Sequence, residues 1–296
     1  MVLVEWRGQA RLAELRRLLC GNEEERPENR VTQATIRLAI DKAYPATEMR
    51  FFTTSYTDGA VPRYLFMLER HDHNFLTINA RVPTIGHNST DLREASSQIL
   101  NMLNDYKELL LFSDERTRDE FLRCLPHSST QRATRHDDVY FFYMTNEQME
   151  KLKTFDTSLP DDFEYDEADV ERDLDTIHDT WAYVSNRETT RARCVYLPSV
   201  IVREKSTGKA VAWEIASPFG QASHLYVLPE YRGRGLGART EIELCKKFID
   251  KGIRPFKYCD VDNDRLVRAT EGHELWTVWR ENGTRKRFSF TFMETQ

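Results

Sequence analysis

The sequence lacks the features that mark membrane, secreted or nucleic-acid-binding proteins. No apolar run approaches the roughly 20 residues that a membrane-spanning helix needs. The 5 cysteines are far apart and form no C-x-x-C pair, which predicts reduced thiols and no structural zinc. With 42 Lys and Arg against 48 Asp and Glu, the net charge of -6 argues against a nucleic-acid partner. The 296 residues, 40% of them hydrophobic, suffice for two packed domains.

The N-terminal segment has an apolar helical pattern that carries Arg7, Arg11, Arg16 and Arg17. Such a basic amphipathic segment is typical of a mitochondrial transit peptide, but acidic residues interrupt it and serine is absent. We therefore expect a cytoplasmic protein, and mitochondrial import stays open as the alternative.

Hydrophobic periodicity predicts helices and strands along the whole chain. In the first half we expect helices over 4–19, 89–110, 114–125 and 145–155, and strands over 49–56, 64–68, 75–81, 109–112 and 139–144. In the second half we expect strands over 163–165, 199–204, 210–216, 224–228 and 256–261, and helices over 170–183, 236–251 and from 265. Asn282-Gly283 predicts a hairpin between residues 276–280 and 287–292.

The short polar stretch at 158–162, which contains Pro160, predicts a domain boundary. The expected domains are residues 1–158 and 159–296. Because antiparallel strand pairs alternate with helical crossovers, the predicted fold class is α+β with a mixed, mostly antiparallel sheet.

A glycine-rich string stands between the predicted strand 224–228 and the predicted helix 236–251. Of the chain's 12 glycines, Gly233, Gly235 and Gly237 lie within the single string RGRGLG. Glycine lets the backbone turn tightly and approach a ligand, and the unpaired N–H groups of a helix start suit a phosphate. Arg232 and Arg234 would add charged donors. The string therefore predicts a pyrophosphate-binding loop.

Three ligand classes compete for this loop. A nucleoside-triphosphate loop needs Gly-Lys-Ser/Thr, which the string lacks. A dinucleotide loop needs G-x-G-x-x-G after the first strand of a parallel unit, and here the third glycine comes one residue early. Asp260 could act as the ribose-binding acid of such a site, so this alternative stays open. Coenzyme A is the third class. A flexible turn without a ligand would not explain two arginines at a helix start.

The string resembles the acyl-CoA binding motif Gln/Arg-x-x-Gly-x-Gly/Ala of the GNAT superfamily of N-acyltransferases. Two flanking segments, TGKAVAW at 207–213 and YVLPEYRGRGL at 226–236, are similar to the glycine N-acyltransferase family, where G-x-P-V-x-W precedes P-E-Y-R-x-x-G-L. Weaker similarity extends over about residues 5–278. The resemblance implies a degenerate GNAT-like N-terminal domain followed by a GNAT domain.

This resemblance also implies an activity. The chain would transfer an acyl group from acyl-CoA, its cosubstrate, to the amine of glycine or another small amino acid or amine, without a metal. Its partners would be these small molecules. The implied CoA contacts are Tyr226, Val227, Arg232, Gly233, Arg234, Gly235, Leu236, Gly237, Ala238 and, on the pantetheine side, Asn263.

The sequence departs from the family where a base is expected. The family has a glutamate eight residues before the proline of P-E-Y-R, and here that position is Gln221, whose amide cannot accept a proton at neutral pH. Glu214 and His224 are the substitutes nearby, and a base becomes unnecessary if water deprotonates the amine. Where the superfamily has a tyrosine acid, His273 is the candidate here.

Two further functions stay open at this point. One is a protein or polyamine N-acetyltransferase, and the other is a non-catalytic acyl-CoA-binding module, which the glutamine at 221 motivates. Two motifs have a metal-like composition, residues 71–73 (HDH) and 136–138 (HDD). Both lack a third ligand nearby, and we expect both to be solvated turns.

Overall fold

The computed structural model describes residues 3–20, 27, 29–54, 64–71, 75–81, 89–103, 105–125, 131–181 and 186–295. The strands are β1 (Leu3–Trp6), β2 (Met49–Thr54), β3 (Leu65–Arg70), β4 (Phe75–Arg81), β5 (Glu108–Asp114), β6 (Gln131–Tyr143), β7 (Phe163–Asp166), β8 (Ser199–Glu204), β9 (Ala210–Ala216), β10 (Ala222–Val227), β11 (Phe256–Asp260), β12 (Thr277–Val278), β13 (Arg280–Glu281), β14 (Thr284–Arg285) and β15 (Arg287–Thr295). The helices are α1 (Gln9–Cys20), α2 (Asn29–Ile40), α3 (Ser89–Met102), α4 (Glu115–Arg123), α5 (Asn146–Lys153), α6 (Val170–Asp179), α7 (Arg187–Tyr196), α8 (Leu236–Asp250) and α9 (Asp264–Glu271). In the part of the chain so described, a helix both long and apolar enough for a bilayer is absent.

One large sheet runs through both halves of the chain. Its strand order is β1-β2-β3-β4-β5-β15-β6-β11-β10-β9-β8-β7. The pairs β4–β5 and β10–β11 are parallel, whereas pairs such as β3–β4 and β9–β10 on either side are antiparallel. The predicted α+β fold with a mixed, mostly antiparallel sheet is confirmed.

The last strand of each half lies against the other half. β15, the last strand of the chain, lies between β5 and β6. β6 in turn pairs with β11, so that Phe141 stands opposite Tyr258. The rings of Phe112, Phe141, Tyr258 and Phe288 pack together where these strands meet. The sheet is therefore continuous past the predicted boundary at 158–162, and the boundary itself stays a prediction.

Several local signals act as the sequence predicts. Asp114 begins α4 by accepting a hydrogen bond from the Thr117 N–H at 3.1 Å. Thr145 and Gln148 form a reciprocal capping box at the start of α5. Asn282 and Gly283 both have positive φ, as a tight hairpin turn requires, and they join β13 to β14.

Two helices were not expected from the sequence, α2 and α7. Each contains two threonines, whose β-branched side chains weaken the intrinsic helix preference. Tertiary packing stabilises α2 in spite of its weak helix propensity, since most of its residues are buried. The expected helix over 4–19 also begins later, because Leu3–Trp6 pairs with β2 as a strand.

The expectation of a turn at 136–138 is wrong. These residues lie inside β6, where Asp137 stands opposite Phe290 and His136 opposite Thr291. Pairing with a strand about 150 positions later in the chain outweighs the polar composition. For the other metal-like motif, His71 lies 2.7 Å from the Thr77 hydroxyl, and residues 72 and 73 lie outside the described residues.

Candidate active site between β10 and β11

The parallel strands β10 and β11 separate almost at once. Their pairing in the described chain consists of Ala222 opposite Lys257. On its other edge β10 shifts register against β9 between Ser223 and Tyr226, and His224 inside this shift has a φ of 59°. A bulge of this kind bends a strand and re-aims its side chains. The backbone of β10 beyond Ala222 therefore faces an opening instead of a neighbouring strand.

A cavity of about 270 Å³ occupies this opening. All three candidate catalytic residues, Gln221, Glu214 and His224, line it. The residues that line the cavity further include Thr180, Trp181, Ala222, Ser223, Leu225, Tyr226, Glu241, Lys257, Tyr258, Cys259, Asp260 and Leu266. The structure thus brings together residues that the sequence could place only on separate elements.

The cavity passes through the plane of the sheet. Trp213 and Glu214 are neighbours on β9 and so point to opposite faces. Trp213 packs with Trp181 next to α6, whereas Glu214 faces Glu241 on α8. Because Trp181, Glu214 and Glu241 all line the cavity, its wall includes residues from both faces of the sheet.

A buried ionic cluster stands on the α8 side. Lys257 of β11 and Glu241 of α8 are 4% and 7% exposed, and the Lys257 ammonium donates a hydrogen bond to the Glu241 carboxylate. The Trp276 indole N–H donates to the same carboxylate at 2.9 Å. Glu241 is therefore fully engaged, and its charge is balanced by Lys257.

Glu214 is the second carboxylate of this cluster. It is 2% exposed, and its Oε2 has no hydrogen-bond partner among the described residues. Burial, and after it the nearby Glu241 charge, raise the pKa of Glu214 well above its usual range, with Lys257 opposing. The Glu214 carboxyl therefore keeps its proton to a higher pH than an exposed glutamate does.

His224 stands on the α6 side of the cavity. Its ring stacks on Trp181 at 4.5 Å with an interplanar angle of 5°. Its Nε2 lies 3.0 Å from the Ile177 carbonyl oxygen, an acceptor, so Nε2 carries the proton and Nδ1 keeps the lone pair. Burial lowers the pKa of His224 to about 4, so the ring is neutral at pH 7.

Helix α6, which contains Ile177, is fixed to the sheet by a buried ion pair. The Arg203 guanidinium on β8 donates to both carboxylate oxygens of Asp173 in α6, at 2.9 and 2.6 Å. Both side chains are 3% exposed. The bidentate geometry sets the height of α6 over the strands.

The glycine-rich loop has the backbone that its composition predicts. Gly233 and Gly235 have φ of 79° and 75°, in the left-handed region that favours glycine. Gly235 caps α8 without a side-chain hydrogen bond in the described residues, so the first N–H groups of the helix stay available. A Cβ on Gly237 would stand 3.1 Å from the Val227 side chain, which places the helix start directly against β10.

The two loop arginines are exposed at the mouth of this turn. Arg232 donates through Nε to the Val227 carbonyl at 3.0 Å, and its guanidinium lies 5.5 Å from the Tyr226 ring centroid. The Arg234 guanidinium lies 5.3 Å from the Tyr231 ring centroid. Both keep donors directed to solvent, next to Leu236 and Ala238 of the first turn of α8.

Two other candidate residues have structural tasks. The Asn263 side chain accepts the Leu266 N–H at 3.1 Å and so begins α9. His273 accepts the Leu275 N–H at 3.2 Å through Nδ1, and it is not among the described residues that line the cavity. Its use as an acid would need a rearrangement of this turn.

Sequence reasoning missed Glu241 and Lys257. The available signal was a charged residue in an apolar pattern, since Glu241 lies on the buried face of α8 and Lys257 inside the strand FKYCD. Buried charges are rarely found without partners. Among the described residues, no group of three or more His, Cys, Asp or Glu could hold a metal ion.

Comparison with known proteins adds to this geometry. The family model of FR47-like proteins matches residues 200–271, which include β10, the loop and β11. No curated protein matches the chain.

Three solved structures that are similar to the chain cover nearly all of it. A Drosophila protein superposes with a TM-score of 0.69 at 15% identity, over 98% of both chains. A tandem GNAT protein from the clavulanic acid biosynthesis pathway gives 0.56 at 11%, over 100% of this chain and 99% of that one. A GCN5-related N-acetyltransferase from Sphaerobacter thermophilus gives 0.54 at 11%, over 99% and 96%. The chain has the GNAT fold, built from two GNAT-like halves.

Proposed function

We propose that the chain is an acyl-CoA-dependent N-acyltransferase whose acceptor is glycine or another small amino acid or amine. The observation that carries the proposal is the separation of β10 from β11 at a bulge, directly before a glycine-rich helix start. An elongated thioester fits between the strands, with its diphosphate on the N–H groups of α8 and on Arg232 and Arg234. The acceptor class rests on the resemblance of 207–213 and 226–236 to glycine N-acyltransferases.

Glu214 is the proposed proton acceptor. An incoming ammonium must lose a proton before its nitrogen can attack, and a base is effective when its pKa lies near the working pH. The raised pKa makes the Glu214 carboxylate a stronger base than an exposed one. Its Oε2 has no partner among the described residues, and Glu214 lies on the cavity wall. His224 is neutral at pH 7 but a much weaker base, because its pKa is about 4.

His224 and Gln221 are then assigned to orientation. The Nδ1 of His224 is an acceptor on the cavity wall, and the Gln221 amide can both donate and accept. These groups can hold the amine, or a water between the amine and Glu214, in line with the thioester. Backbone N–H groups at the bulge can stabilise the negative charge that develops on the carbonyl oxygen.

In the proposed reaction, the ammonium proton passes to Glu214, directly or through water. The amine nitrogen forms a bond to the thioester carbonyl carbon, the carbon–sulfur bond breaks, and CoA leaves as the thiolate. The thiolate takes the second proton of the attacking nitrogen, directly or through water, which gives the CoA thiol and the neutral N-acyl amine. Glu214 then returns the first proton to solvent.

Two measurements on the full chain test the proposal. Calorimetry with CoA, acetyl-CoA and benzoyl-CoA should give saturable binding. A thiol-detection assay with a panel of amino acids, polyamines and peptides should show CoA release with small amino acids. Calorimetry without heat for any thioester would contradict the proposal. Turnover of peptides or polyamines alone would show that the acceptor is a peptide or a polyamine and not a small amino acid. Binding of CoA thioesters without any turnover would indicate a non-catalytic binding module, the alternative that the glutamine at 221 suggests.

A further inference from the structure

A buried ion pair links the two halves of the chain next to the candidate site. Glu69 lies on β3 of the first half and Arg193 on α7 of the second, and a guanidinium nitrogen of Arg193 stands 3.7 Å from Oε1 of Glu69. The two side chains are 1% and 9% exposed. Neither residue is part of the cavity lining between β10 and β11.

The sheet of the first half fixes the place of Glu69. Within the sheet Glu69 stands opposite Met49 of β2 on one side and opposite Thr77 of β4 on the other. A strand that is paired on both edges cannot shift without breaking hydrogen bonds to its neighbours. The carboxylate also has His71 beside it, with Nε2 of His71 3.7 Å from Oε2. The negative charge therefore has a rigid support.

Stability alone does not account for this ion pair. At 3.7 Å the two groups are too far apart for a hydrogen bond. Both carboxylate oxygens of Glu69 and the Arg193 Nε have no hydrogen-bond partner among the described residues. Burial of two charges costs solvation free energy, and a pair without hydrogen bonds recovers little of that cost.

The Arg193 guanidinium lies over an aromatic ring of the candidate site. Its Cζ is 5.0 Å from the centroid of the Trp181 ring, which is within the range of a cation–π contact. The His224 ring stacks on the same indole. Trp181 and His224 both line the cavity. Four side chains thus form a continuous series of contacts from β3 to the cavity wall.

The indole completes the fixation of the His224 ring. The contact of Nε2 with the Ile177 carbonyl oxygen fixes one atom of the ring, but a histidine ring can still turn about its side-chain bonds. The parallel Trp181 indole fixes the plane of the ring. Together the two contacts fix the direction of Nδ1, the acceptor on the cavity wall.

We propose that Glu69 and Arg193 are positioning residues of the acyl-transfer site. Glu69 holds Arg193, Arg193 holds the Trp181 indole, and the indole sets the plane of the His224 ring. The inference rests on the proposed function, in which His224 orients the acceptor amine. It gives the first half of the chain a role in a site that lies in the second half.

A double variant separates positioning from stability. Glu69→Gln with Arg193→Met removes both charges and leaves none buried without a partner, so Tm should stay within about 4 °C of the wild type. Glu69→Gln alone leaves the Arg193 charge unbalanced and should have a lower Tm than the double variant. Arg187→Met is the matched control, because Arg187 lies on the same helix and donates to the exposed Asp175 at 2.9 Å.

The first measurement is NMR spectroscopy of the full chain with isotope-labelled histidine. The ring current of the stacked indole should move the His224 ring protons upfield, and their loss in His224→Asn assigns them. We expect the double variant to lose most of this upfield shift, because its indole is no longer held. Arg187→Met should keep the shift in full.

The second measurement is steady-state kinetics with acceptor and acyl-CoA varied in turn. The double variant should lower kcat/KM for the acceptor at least about tenfold, because the amine is no longer held in line, and it should leave KM for acyl-CoA unchanged. Arg193→Lys keeps a cation that can face both the indole and Glu69, so it should recover most of the loss.

Wild-type His224 signals in the double variant would overturn the inference. So would a wild-type kcat/KM for the acceptor in a double variant whose His224 signals have moved. Equal losses in Arg187→Met would assign the effect to α7 as a whole and refute the role of the pair. If the wild type releases no CoA with any acceptor, the proposed function fails, whereas moved His224 signals would still support the series of contacts.

Discussion

Each half of the sheet contains one parallel pair of strands, but the first pair is closed and the second is open. β4 and β5 stay paired over five residues, from Phe75 opposite Glu108 to Asn79 opposite Phe112. β10 and β11 have one such pairing. β4 also keeps an unbroken register with β3, whereas β10 has a bulge against β9. The same topology therefore gives a sealed sheet in one half and a cavity in the other.

The side chains at the two pairs follow this difference. Where β4 and β5 pair, the buried residues are uncharged and mostly apolar, as at Ile78 and Leu111, which stand opposite each other, and Thr77 and Asn79 are the polar exceptions. Around β10 and β11 the buried residues include Glu214 and Lys257. The loops that follow the first strand of each parallel pair differ in sequence as well. Residues 82–88, between β4 and α3, contain one glycine and no arginine, whereas the loop between β10 and α8 contains Arg232, Gly233, Arg234 and Gly235. The closed pair is thus filled by uncharged side chains, whereas the open pair can hold charges that face a ligand.

The largest expected effect concerns the proposed base in the open pair. Glu214→Gln should lower kcat by about 10²–10³-fold, the usual contribution of a positioned base. In the wild type, kcat/KM should rise with pH as Glu214 ionises through its raised pKa, and in the variant this rise should vanish. Rate–pH profiles check both. Glu164→Gln on β7 is the exposed control; wild-type kcat in Glu214→Gln would exclude Glu214 as the base.

The closed pair should matter for stability and not for CoA binding. Leu111→Ala removes a side chain that is 0% exposed and should lower the free energy of unfolding by about 3 kcal/mol. The Kd for CoA, measured where the variant is still folded, should be unchanged. Denaturant unfolding measures the free energy of unfolding, and calorimetry measures the Kd for CoA. A weaker Kd in the folded variant would mean that the closed pair supports the open one.

The open pair should also be sensitive to acid through His224. Its pKa is about 4 in the folded chain against 6.5 as the ordinary value, so its contribution to stability is complete above pH 6.5 and is lost as pH falls towards 4. This loss amounts to at most about 3 kcal/mol. In His224→Asn, whose side chain tolerates a positive φ, the loss should be absent. Equal slopes of unfolding free energy against pH in both proteins would refute this role.

The smallest expected effect tests whether the glycine-rich loop before α8 binds CoA or is an ordinary turn. Gly235→Trp should weaken CoA binding at least about tenfold, because the side chain would occupy the start of α8 and displace Arg239. Gly208→Trp is the matched control, since Gly208 also has positive φ, of 70°, in the turn between β8 and β9. Both variants should lose similar stability, and only the first should lose affinity. Equal affinity in calorimetry would remove the loop from the CoA site.

What the sequence predicts well is local. Strands 75–81, 199–204 and 210–216 are apolar runs bounded by turn residues, and the structure confirms their bounds. The loop of Gly233, Gly235 and Gly237 could be predicted because its glycines and arginines are adjacent in the chain.

What the sequence does not show depends on distant contacts. The pairing of Glu241 with Lys257 and Trp276 joins three separate elements, and no local pattern indicates it. The bulge at His224 arises from the register of β10 against β9, which the sequence of β10 alone does not determine. The helices α2 and α7 depend on packing in the same way.

The exchange of the last strands affects how the protein can be divided. A fragment that ended at the predicted boundary would contain β6 without β15 between it and β5, and without β11 on its other side. Its unpaired backbone edges would then be templates for association with other chains. The two fragments would complete each other's sheets only when they fold together, so co-expression, and not separate production, is the way to obtain either half in its native form.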